Sequence, residues 1–289
     1  MKLLSYNIQY GFGSDGCYDL PRVAEVLKTA DIIAVQEVDR HWSRSNHDDQ
    51  PARLQSQLPD HYTAYGPGFD MDASTPSDRA RRRQFGPMIL SRWPIAWTRL
   101  RLLPMRRMLD PLNTQTAALE ACIATPLGPL RVLSIHLAHV GVEERLTQID
   151  HLLTLHAAAQ TQGPPWSGTD DEPQRNWTEG EPEPPCPATA IWLGDFNCEP
   201  GSAEHQRITG KTPYHPNARY AQGFHDAVAL IGTTLHTHEK VIAGTKRLRQ
   251  LDHCFVTPDL APRVTKAWTD NQQPASDHHP LWVELGDGT

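Results

Sequence analysis

The stretch Ala190-Ile191-Trp192-Leu193-Gly194-Asp195-Phe196-Asn197 joins an apolar run to two polar residues that follow it almost directly. The apolar run is typical of a buried strand. Asp195 and Asn197 are two positions apart, so an extended backbone would point both side chains the same way. The stretch therefore predicts a strand that brings a carboxylate and an amide to one edge of a sheet.

Five further segments share this pattern of an apolar run that finishes in a residue able to bind metal or phosphate. They are Tyr6-Asn7, Gln36-Glu37, Ser134-Ile135-His136, Leu251-Asp252-His253 and Ser276-Asp277-His278-His279-Pro280. An open α/β architecture places such strand ends along a common rim, where ligands bind. We therefore expect residues that are far apart in the chain to converge at one site.

Strand and helix patterns occur in both halves of the chain. Apolar runs at residues 2–8 and 31–37 predict buried strands, and Asp19-Leu20-Pro21 marks the start of a helix between them. Helical spacing over residues 142–159 predicts a long helix, and a shorter one is expected at residues 51–58. Further strands are predicted at residues 61–65, 88–91, 95–103, 116–124, 130–136, 190–194, 251–256, 264–268 and 281–285. This order predicts an α/β fold in which two mixed sheets pack face to face with helices outside, a four-layer α-β-β-α sandwich.

Residues 162–187 differ from the rest of the chain. They are rich in Pro, Gly, Glu, Asp and Thr and lack hydrophobic periodicity. Such a segment cannot bury much apolar surface, so we predict a flexible surface insertion that takes no part in catalysis. The chain of 289 residues is long enough for one large layered core. We therefore expect a single domain over residues 1–289 that carries this insertion.

The composition disfavours several classes of protein. Hydrophobic residues make up 38% and charged residues 21% of the chain, values typical of a soluble globular protein. The formal net charge of -7 disfavours binding to duplex DNA, which proteins usually achieve through basic faces. The local arginines could form a positive rim beside a site or a solvated loop, and single-stranded nucleic acid at such a rim stays open. These arginines are Arg79, Arg81, Arg82, Arg83, Arg106 and Arg107.

The N-terminal residues and the cysteines bear on the cell compartment. Residues 1–7 contain no apolar signal region, and no run approaches the length that spans a bilayer. The five cysteines are scattered and include no Cys-x-x-Cys pair, which argues against a disulfide framework or a zinc ribbon. We expect reduced thiols, a cytoplasmic location and a monomer.

Seven short motifs, taken in order, resemble the endonuclease/exonuclease/phosphatase superfamily over nearly the whole chain. The motifs are Leu4-Ser5-Tyr6-Asn7, Gln36-Glu37-Val38, Ile89-Leu90-Ser91-Arg92, Ser134-Ile135-His136-Leu137, Leu193-Gly194-Asp195-Phe196-Asn197, Leu251-Asp252-His253 and Ser276-Asp277-His278-His279-Pro280. The resemblance implies a DNase I-like fold and divalent-metal-dependent hydrolysis of a phosphate ester. Two regions depart from it: residues 162–187 lie outside the resemblance, and Gly86-Pro87-Met88 stands where relatives often carry Gly-Asn-Ala.

The resemblance implies a metal site around Glu37. Mg²⁺ prefers oxygen ligands and keeps several waters, so one or two protein carboxylates suffice. Glu37 would be the main carboxylate ligand, and Asn7 and Asp277 would complete or adjoin the shell of Mg²⁺ or Mn²⁺. The cation would polarise a phosphoryl oxygen and stabilise charge on the leaving group.

The resemblance gives five further residues catalytic roles. Asp195 and Asn197 would orient the attacking water and grip the phosphate. His278 would act as a general base or as a phosphate donor, with Asp252 fixing its tautomer. His136 would donate to a non-bridging oxygen in the transition state. The expected reaction is in-line attack of water on a phosphodiester.

Other readings of the sequence remain open. Gly11-Phe12-Gly13-Ser14-Asp15-Gly16 fits a dinucleotide-binding pattern, although the helix start at Asp19 comes several residues too late to receive a pyrophosphate. His236-Thr237-His238 and His278-His279 suggest a transition-metal site. The fold could also serve a phosphomonoesterase or a binding module without turnover. The substrate could be a nucleic acid, a phospholipid or a small phosphate ester.

Overall fold

A computed structural model describes residues 1–212, 215, 218–242 and 244–286 of the chain. Its strands are β1 (Lys2–Asn7), β2 (Ile32–Arg40), β3 (Tyr62–Tyr65), β4 (Phe69–Asp72), β5 (Arg82–Ser91), β6 (Ile95–Leu102), β7 (Ala117–Thr125), β8 (Gly128–His136), β9 (Ala190–Asp195), β10 (His225–Asp226), β11 (His238–Ile242), β12 (Thr245–Arg249), β13 (Asp252–Val256), β14 (Val264–Thr269) and β15 (Leu281–Leu285). Its α-helices are α1 (Leu20–Leu27), α2 (Gln50–Gln57), α3 (Val142–Gln162), α4 (Ala203–Thr209) and α5 (Ala227–Ile231).

Most of the strands form two large mixed sheets. The first has seven strands, with β14-β15-β1-β2-β5-β3 side by side and β4 paired to β5. The second has six strands in the order β10-β13-β9-β8-β7-β6. The pairs β1–β2 and β8–β9 are parallel, and the other pairs within the two sheets are antiparallel. β11 and β12 form a separate hairpin.

Three apolar clusters of the described residues show how the layers are stacked. The first contains Ile89 of one sheet and Ile191 of the other, so it fills the space between the sheets. The second contains Val23 of α1 and lies on the outer face of the first sheet. The third contains Ile149 of α3 and lies on the outer face of the second sheet. This α-β-β-α sandwich of two mixed sheets confirms the predicted fold class.

α1 begins where the sequence predicts, and α2 begins at Gln50, one residue before its predicted start. The Asp19 side chain accepts a hydrogen bond from the backbone N–H of Arg22 at 3.0 Å, which caps α1. Asp49 caps α2 in the same way through the backbone N–H of Ala52. α3 continues to Gln162, three residues beyond the predicted end. None of the helices within the described ranges combines the length and apolarity that a bilayer crossing requires.

The segment between α3 and β9 consists mainly of turns and irregular backbone, with one 3₁₀ turn at Pro173–Arg175. Its last part is attached to the second sheet. The Trp97 indole donates to the Pro185 carbonyl at 2.8 Å, and Arg131 Nε donates to the Pro187 carbonyl at 2.7 Å. The flexibility of this segment and the single-domain organisation stay predictions.

Candidate active site

The ends of strands from both sheets meet at a cleft with a volume of about 440 Å³. Five of the predicted site residues line this cleft: Glu37, His136, Asp195, Asn197 and His278. Asn7 and Asp252 are buried and contact these residues from behind. The sequence-predicted residues of β1, β2, β8, β9 and β13 therefore do converge.

Glu37 lies at an irregularity in β2. The pairing of β2 with β5 shifts its register around this residue, whose φ is +60°. In a regular strand, successive side chains point to opposite faces. Here, however, Gln36 donates to Ser134 Oγ at 3.0 Å while Glu37 Oε1 lies 3.9 Å from His136 Nε2, and both partners belong to β8. The bulge thus turns two successive side chains toward the second sheet.

Asn7 joins acidic side chains that belong to different sheets. Its Nδ2 donates to Glu37 Oε1 at 3.0 Å and to Asp195 Oδ2 at 3.1 Å. Its Oδ1 accepts from the backbone N–H of Gln9 at 3.0 Å, which fixes the orientation of the amide. Because Asn7 is only 1% exposed, water has little access to this arrangement.

Asp195 and Asn197 reach the same cleft through a turn. β9 ends at Asp195, whose Oδ1 accepts from the backbone N–H of Asn197 at 2.9 Å, and Asn197 has a φ of +50°. Asp195 and Asn197 both line the cleft, as predicted. However, an Asx-turn brings them there, not the alternation of side chains along a strand. Asn197 Nδ2 also donates to the Leu137 carbonyl at 3.0 Å, which fixes the amide against the end of β8.

His136 faces the two carboxylates from the end of β8. Its Nε2 lies 3.9 Å from Glu37 Oε1 and 3.8 Å from Asp195 Oδ2, distances too long for hydrogen bonds. Burial raises the pKa of Glu37, although His136 and Asn7 partly oppose that effect. At Asp195 burial is outweighed, because His278 and His136 together hold the pKa of its carboxyl below the ordinary value. The imidazoles thus stabilise the ionised form of Asp195.

His278 lies between two carboxylates. Its Nδ1 is 2.8 Å from Asp252 Oδ2 and its Nε2 is 3.7 Å from Asp195 Oδ2. Burial lowers the pKa of His278, but the carboxylates of Asp252 and Asp195 outweigh burial and raise it to about 10. The imidazole therefore carries a proton on both nitrogens at neutral pH in the absence of a cation.

Asp277 lies beside two histidines. Its carboxylate lies within 4.8 Å of ring nitrogens of His238 and His278. Within the described residues it makes no hydrogen bond to Asn7 or Glu37; the nearest link is Ser276, whose Oγ donates to the Asn7 carbonyl at 2.7 Å. Its role as a metal ligand stays a prediction.

Several residues of the cleft escaped the sequence analysis. Tyr10, Trp42, Phe69 and Phe85 form an aromatic wall, and Arg44 lies among them. The guanidinium of Arg44 is 4.0 Å from the centre of the Tyr10 ring and 4.8 Å from that of Trp42. Tyr10, Trp42 and Arg44 lie in or beside short 3₁₀ turns, while Phe69 lies in β4 and Phe85 in β5, and no strand-end pattern marks them in the sequence.

Arg44 is held firmly in this position. Its Nε and Nη2 donate to the two carboxylate oxygens of Asp39 at 2.9 and 2.8 Å. Such bidentate pairing fixes the plane of the guanidinium. One face of that plane therefore remains stacked against the aromatic wall.

The arginines expected to form a positive rim are partly neutralised. Arg82 Nε donates to Asp70 Oδ1 at 2.8 Å across the β4–β5 pair, and Arg106 pairs with Glu143 at 3.2 Å. Arg83 lies 5.5 Å from the Trp42 ring centre and thus next to the aromatic wall. Arg82 and Arg106 are thus paired with acids, and the choice between a positive rim and a solvated loop for the six arginines stays a prediction.

The glycine-rich loop does not receive a pyrophosphate at a helix N-terminus. The backbone N–H of Gly13 donates to the Cys17 carbonyl and that of Gly16 to the Gly13 carbonyl. α1 begins only at Leu20, and the Asp19 side chain already accepts from the N–H of Arg22 in its first turn. The geometry speaks against a dinucleotide site there.

Comparison with known proteins gives a family match and several similar structures. Residues 4–278 match the model of the Endonuclease/Exonuclease/phosphatase family. An endonuclease/exonuclease/phosphatase from Bacteroides vulgatus is 17% identical with a TM-score of 0.65, and the match covers 98% of this chain and 97% of that chain. A mannosyl-6-phosphatase from Bacteroides thetaiotaomicron is 16% identical with a TM-score of 0.63, covering 99% of both chains. A 3' phosphatase from Neisseria, solved with a product DNA hairpin, is 16% identical with a TM-score of 0.56, also covering 99% of both chains.

No curated protein matches the sequence. Because the similar solved structures share less than a fifth of their residues with this chain, the likeness to them shows the fold alone. The family match covers most of the chain and includes every residue discussed for the cleft.

Proposed function

We propose that this chain, which belongs to the endonuclease/exonuclease/phosphatase family, is a divalent-metal-dependent hydrolase that cleaves a phosphodiester. One observation carries the proposal: the Asn7 amide holds Glu37 and Asp195, one carboxylate from each sheet, while His136 faces both. Oxygen ligands for a cation next to nitrogen donors for a phosphate are the groups that phosphoester hydrolysis needs.

The donor set of the cleft fits Mg²⁺ or Mn²⁺, which prefer carboxylate and water oxygens. Burial raises the pKa of Glu37, and a nearby cation would favour its ionised form. We propose Glu37 as the main ligand, with Asn7 and Asp277 beside it. Asn7 presents its Nδ2 to the carboxylates, so ligation through Oδ1 requires the amide to turn over. A bound cation would polarise a phosphoryl oxygen and stabilise charge on the leaving group.

Asp195 is proposed to orient the attacking water. Its low pKa keeps it an acceptor at neutral pH, and Asn197 fixes one of its oxygens through a backbone N–H. Asn197 is proposed to grip the phosphate. Its side-chain amide uses one N–H on the Leu137 carbonyl, so its second N–H is free to donate to a phosphoryl oxygen.

His278 is proposed to donate to a phosphoryl oxygen rather than to act as the general base. The carboxylates on both sides of its ring hold a proton on each nitrogen, and Asp252 fixes the ring through Nδ1. His136 Nε2 faces Glu37 and Asp195 at 3.9 and 3.8 Å and is proposed as a second donor. Preorganised donors of this kind stabilise the charge that develops in the transition state.

The aromatic wall supports an organic group on the substrate. Tyr10, Trp42 and Phe85 offer flat apolar surfaces beside the carboxylates, with Arg44 stacked among them. A substrate with a planar or apolar group next to its phosphate could pack there, as aromatic side chains favour. This feature favours a phosphate ester that carries an organic group over inorganic phosphate.

A phosphomonoester is the second candidate substrate. Two proteins of similar structure are described as a mannosyl-6-phosphatase and a 3' phosphatase, and both descriptions imply phosphomonoester chemistry. A binding module without turnover is disfavoured, because the carboxylates, the amide and both imidazoles of the proposed mechanism share one cleft.

A substrate screen tests the proposal. Purified protein is treated with EDTA, supplied with Mg²⁺ or Mn²⁺, and assayed with bis-p-nitrophenyl phosphate, a phosphomonoester, single-stranded DNA, abasic DNA and sphingomyelin. We expect metal-dependent release of product from at least one phosphodiester, and no release by Glu37→Ala. Activity confined to the phosphomonoester would replace the first candidate by the second. Turnover of no phosphate ester would overturn both.

We also propose that the protein is a cytoplasmic monomer. Cys17, Cys122, Cys186, Cys198 and Cys254 are all free, which supports a reducing compartment. Light scattering of the purified protein and fractionation of cells that express it test the two statements.

A further inference from the structure

Three side chains with metal-binding atoms meet beside the β11–β12 hairpin. His236 precedes β11, Glu239 lies within it, and His279 follows His278. Glu239 Oε1 is 3.4 Å from His236 Nε2 and 3.6 Å from His279 Nε2. The three ligand atoms all lie within 4.8 Å of one another.

These distances are those of ligands around a tetrahedral cation. A carboxylate–imidazole hydrogen bond would bring the atoms to roughly 2.7–3.0 Å, so neither contact is a good one. Two atoms that bind zinc at roughly 2.0–2.1 Å in tetrahedral geometry lie about 3.3–3.4 Å apart. The observed contacts are close to that separation.

His279 provides an independent indication. Its side chain is 10% exposed, and neither of its ring nitrogens has a hydrogen-bond partner. Buried polar atoms without a partner are costly and rare in folded proteins. A cation at Nε2 would satisfy one of the two nitrogens. The backbone of His279 is already fixed, because its N–H donates to the Thr237 carbonyl at 2.6 Å.

Glu239 is arranged to offer one oxygen to a cation. Its Oε2 is 2.6 Å from Lys246 Nζ of β12, which leaves Oε1 facing the two histidines. Outer partners of this kind orient the carboxylate of a metal site. A cleft of about 400 Å³ lined by Glu239, Lys246, Asp277 and His279 gives solvent access to the group. That opening leaves room for a water as a fourth ligand.

We propose that His236, Glu239 and His279 bind a transition-metal ion of the zinc type. Two imidazoles and one carboxylate favour zinc, cobalt or nickel over Mg²⁺, which requires mainly oxygen ligands. The ion would tie the start of the hairpin to the segment that carries His278. This metal site is separate from the carboxylates of Glu37 and Asp195, and the proposal does not depend on the proposed hydrolysis.

Two other clusters with metal-binding atoms differ from this one. In the buried group of His205, Asp226 and His253, His205 Nε2 pairs with Asp226 at 2.9 Å and His253 Nε2 with the Cys198 carbonyl at 3.0 Å. The group of His238, Asp277 and His278 borders the candidate active site. A test must therefore separate the three groups by substitution.

Metal binding by the full-length protein tests the proposal. The protein is stripped with EDTA and titrated with Zn²⁺ by calorimetry, in the presence of excess Mg²⁺ to occupy oxygen-rich sites. Co²⁺ is added in a parallel experiment, since tetrahedral Co²⁺ with nitrogen ligands absorbs visible light. The variants are His236→Ala and Glu239→Gln, and the matched control is His47→Ala, an exposed histidine outside the three groups. Circular dichroism checks that every variant is folded.

We expect the parent and His47→Ala to bind Zn²⁺ despite Mg²⁺ and to give the Co²⁺ absorption. His236→Ala and Glu239→Gln should each lose one equivalent of tightly bound Zn²⁺ or bind it more than about tenfold more weakly, and lose that absorption. Zinc at either of the other groups would survive both substitutions. A folded parent that binds no Zn²⁺, or equal binding by parent and both variants, would overturn the proposal.

Discussion

Asn7 stabilises the close approach of two carboxylates. The half-buried carboxylate of Glu37 and the buried one of Asp195 approach the same region from different sheets and would repel each other when both are ionised. The neutral amide places two N–H groups between them. Its exchange for a carboxyl group of the same shape would add an acceptor where donors are needed.

Asn7→Asp should therefore couple stability to a cation. We expect the free energy of unfolding in EDTA to fall by about 2–3 kcal/mol, because Gln9 would still donate to one oxygen of the new carboxylate while the other oxygen would face Glu37 and Asp195 without a donor. Mg²⁺ or Mn²⁺ should restore a large part of this loss. Urea unfolding with and without the cation measures both quantities.

Gln148→Glu is the matched control for that substitution. Gln148 is buried like Asn7; its Oε1 accepts from the backbone N–H of Ala138 at 2.9 Å and its Nε2 donates to the Pro104 carbonyl at 2.9 Å, so none of these partners is a carboxylate. Its exchange should also destabilise the protein, but a cation should not restore the loss. Equal rescue of the two variants would show that the cation acts elsewhere.

His278 illustrates how a residue's role depends on its neighbours. An isolated histidine would be about half protonated slightly below neutral pH. Asp252 and Asp195 instead raise the pKa of His278 to about 10, in spite of burial, and so make it a donor. Sequence patterns could suggest His278 as a site residue but not its protonation state, since that state depends on the distances from its ring to Asp252 and Asp195.

His278→Ala should lower kcat by roughly 10²–10³-fold, the effect typical of removing one transition-state donor. Metal affinity should stay within a few-fold of the parent, because Glu37 is the main proposed ligand. Asp252→Asn should also lower kcat, through loss of ring orientation. Steady-state kinetics and Mn²⁺ titration of each variant give these values, with His151→Ala as the control for loss of a histidine. A His278→Ala variant with parental kcat would refute the donor role.

Two neighbouring strands, β8 and β9, determine where Asp195 and His136 lie. They are parallel, and their register places His136 opposite Asp195 and Ile135 opposite Gly194. Glycine is needed at that point, because a Cβ on Gly194 would lie 1.9 Å from the Ile135 carbonyl oxygen. A backbone atom cannot move away as a flexible side chain can.

Gly194→Ala should separate the two strand ends. We expect the free energy of unfolding to fall by at least about 2 kcal/mol, since the clash is with backbone in the centre of a sheet. Gly141→Ala is the control, because a Cβ at Gly141 would meet no atom within 4 Å. That variant should change stability by less than about 1 kcal/mol. Urea unfolding of both proteins decides the matter, and similar losses in the two would contradict the packing argument.

Strand patterns predicted much of the element-scale structure but not its irregular points. Apolar runs that finish in polar residues marked β1, β2, β8 and β9, although β2 continues past Glu37 to Arg40. Asp252 instead opens β13, which reaches the same edge because it runs antiparallel to β9. The bulge at Glu37 and the turn at Asn197 were not predictable. Both use positive φ angles at residues other than glycine, which only tertiary contacts can stabilise.

At the scale of the whole molecule, the cleft combines parts that the sequence marks and parts that it does not. Asn7 and His278 come from opposite ends of the chain, and their motifs were recognisable because chemistry restricts which residues can serve there. Tyr10 and Trp42 beside short turns and Phe85 in β5 were not, since single aromatic residues are common in such places and the direction of their side chains depends on tertiary packing. The ion pair of Arg82 with Asp70 likewise could not be predicted without knowing that β4 pairs with β5.

The convergence of both sheets on one cation is the central claim, and one measurement tests it most directly. EDTA-treated protein is assayed for hydrolysis of a phosphodiester while Mg²⁺ or Mn²⁺ is restored stepwise, in parallel for the parent, Glu37→Ala and the exposed control Glu25→Ala. We expect the rate to rise to saturation in the parent and in Glu25→Ala, and to stay at least about 10²-fold lower in Glu37→Ala. Hydrolysis that needs no added cation, or that proceeds equally in Glu37→Ala, would contradict the claim.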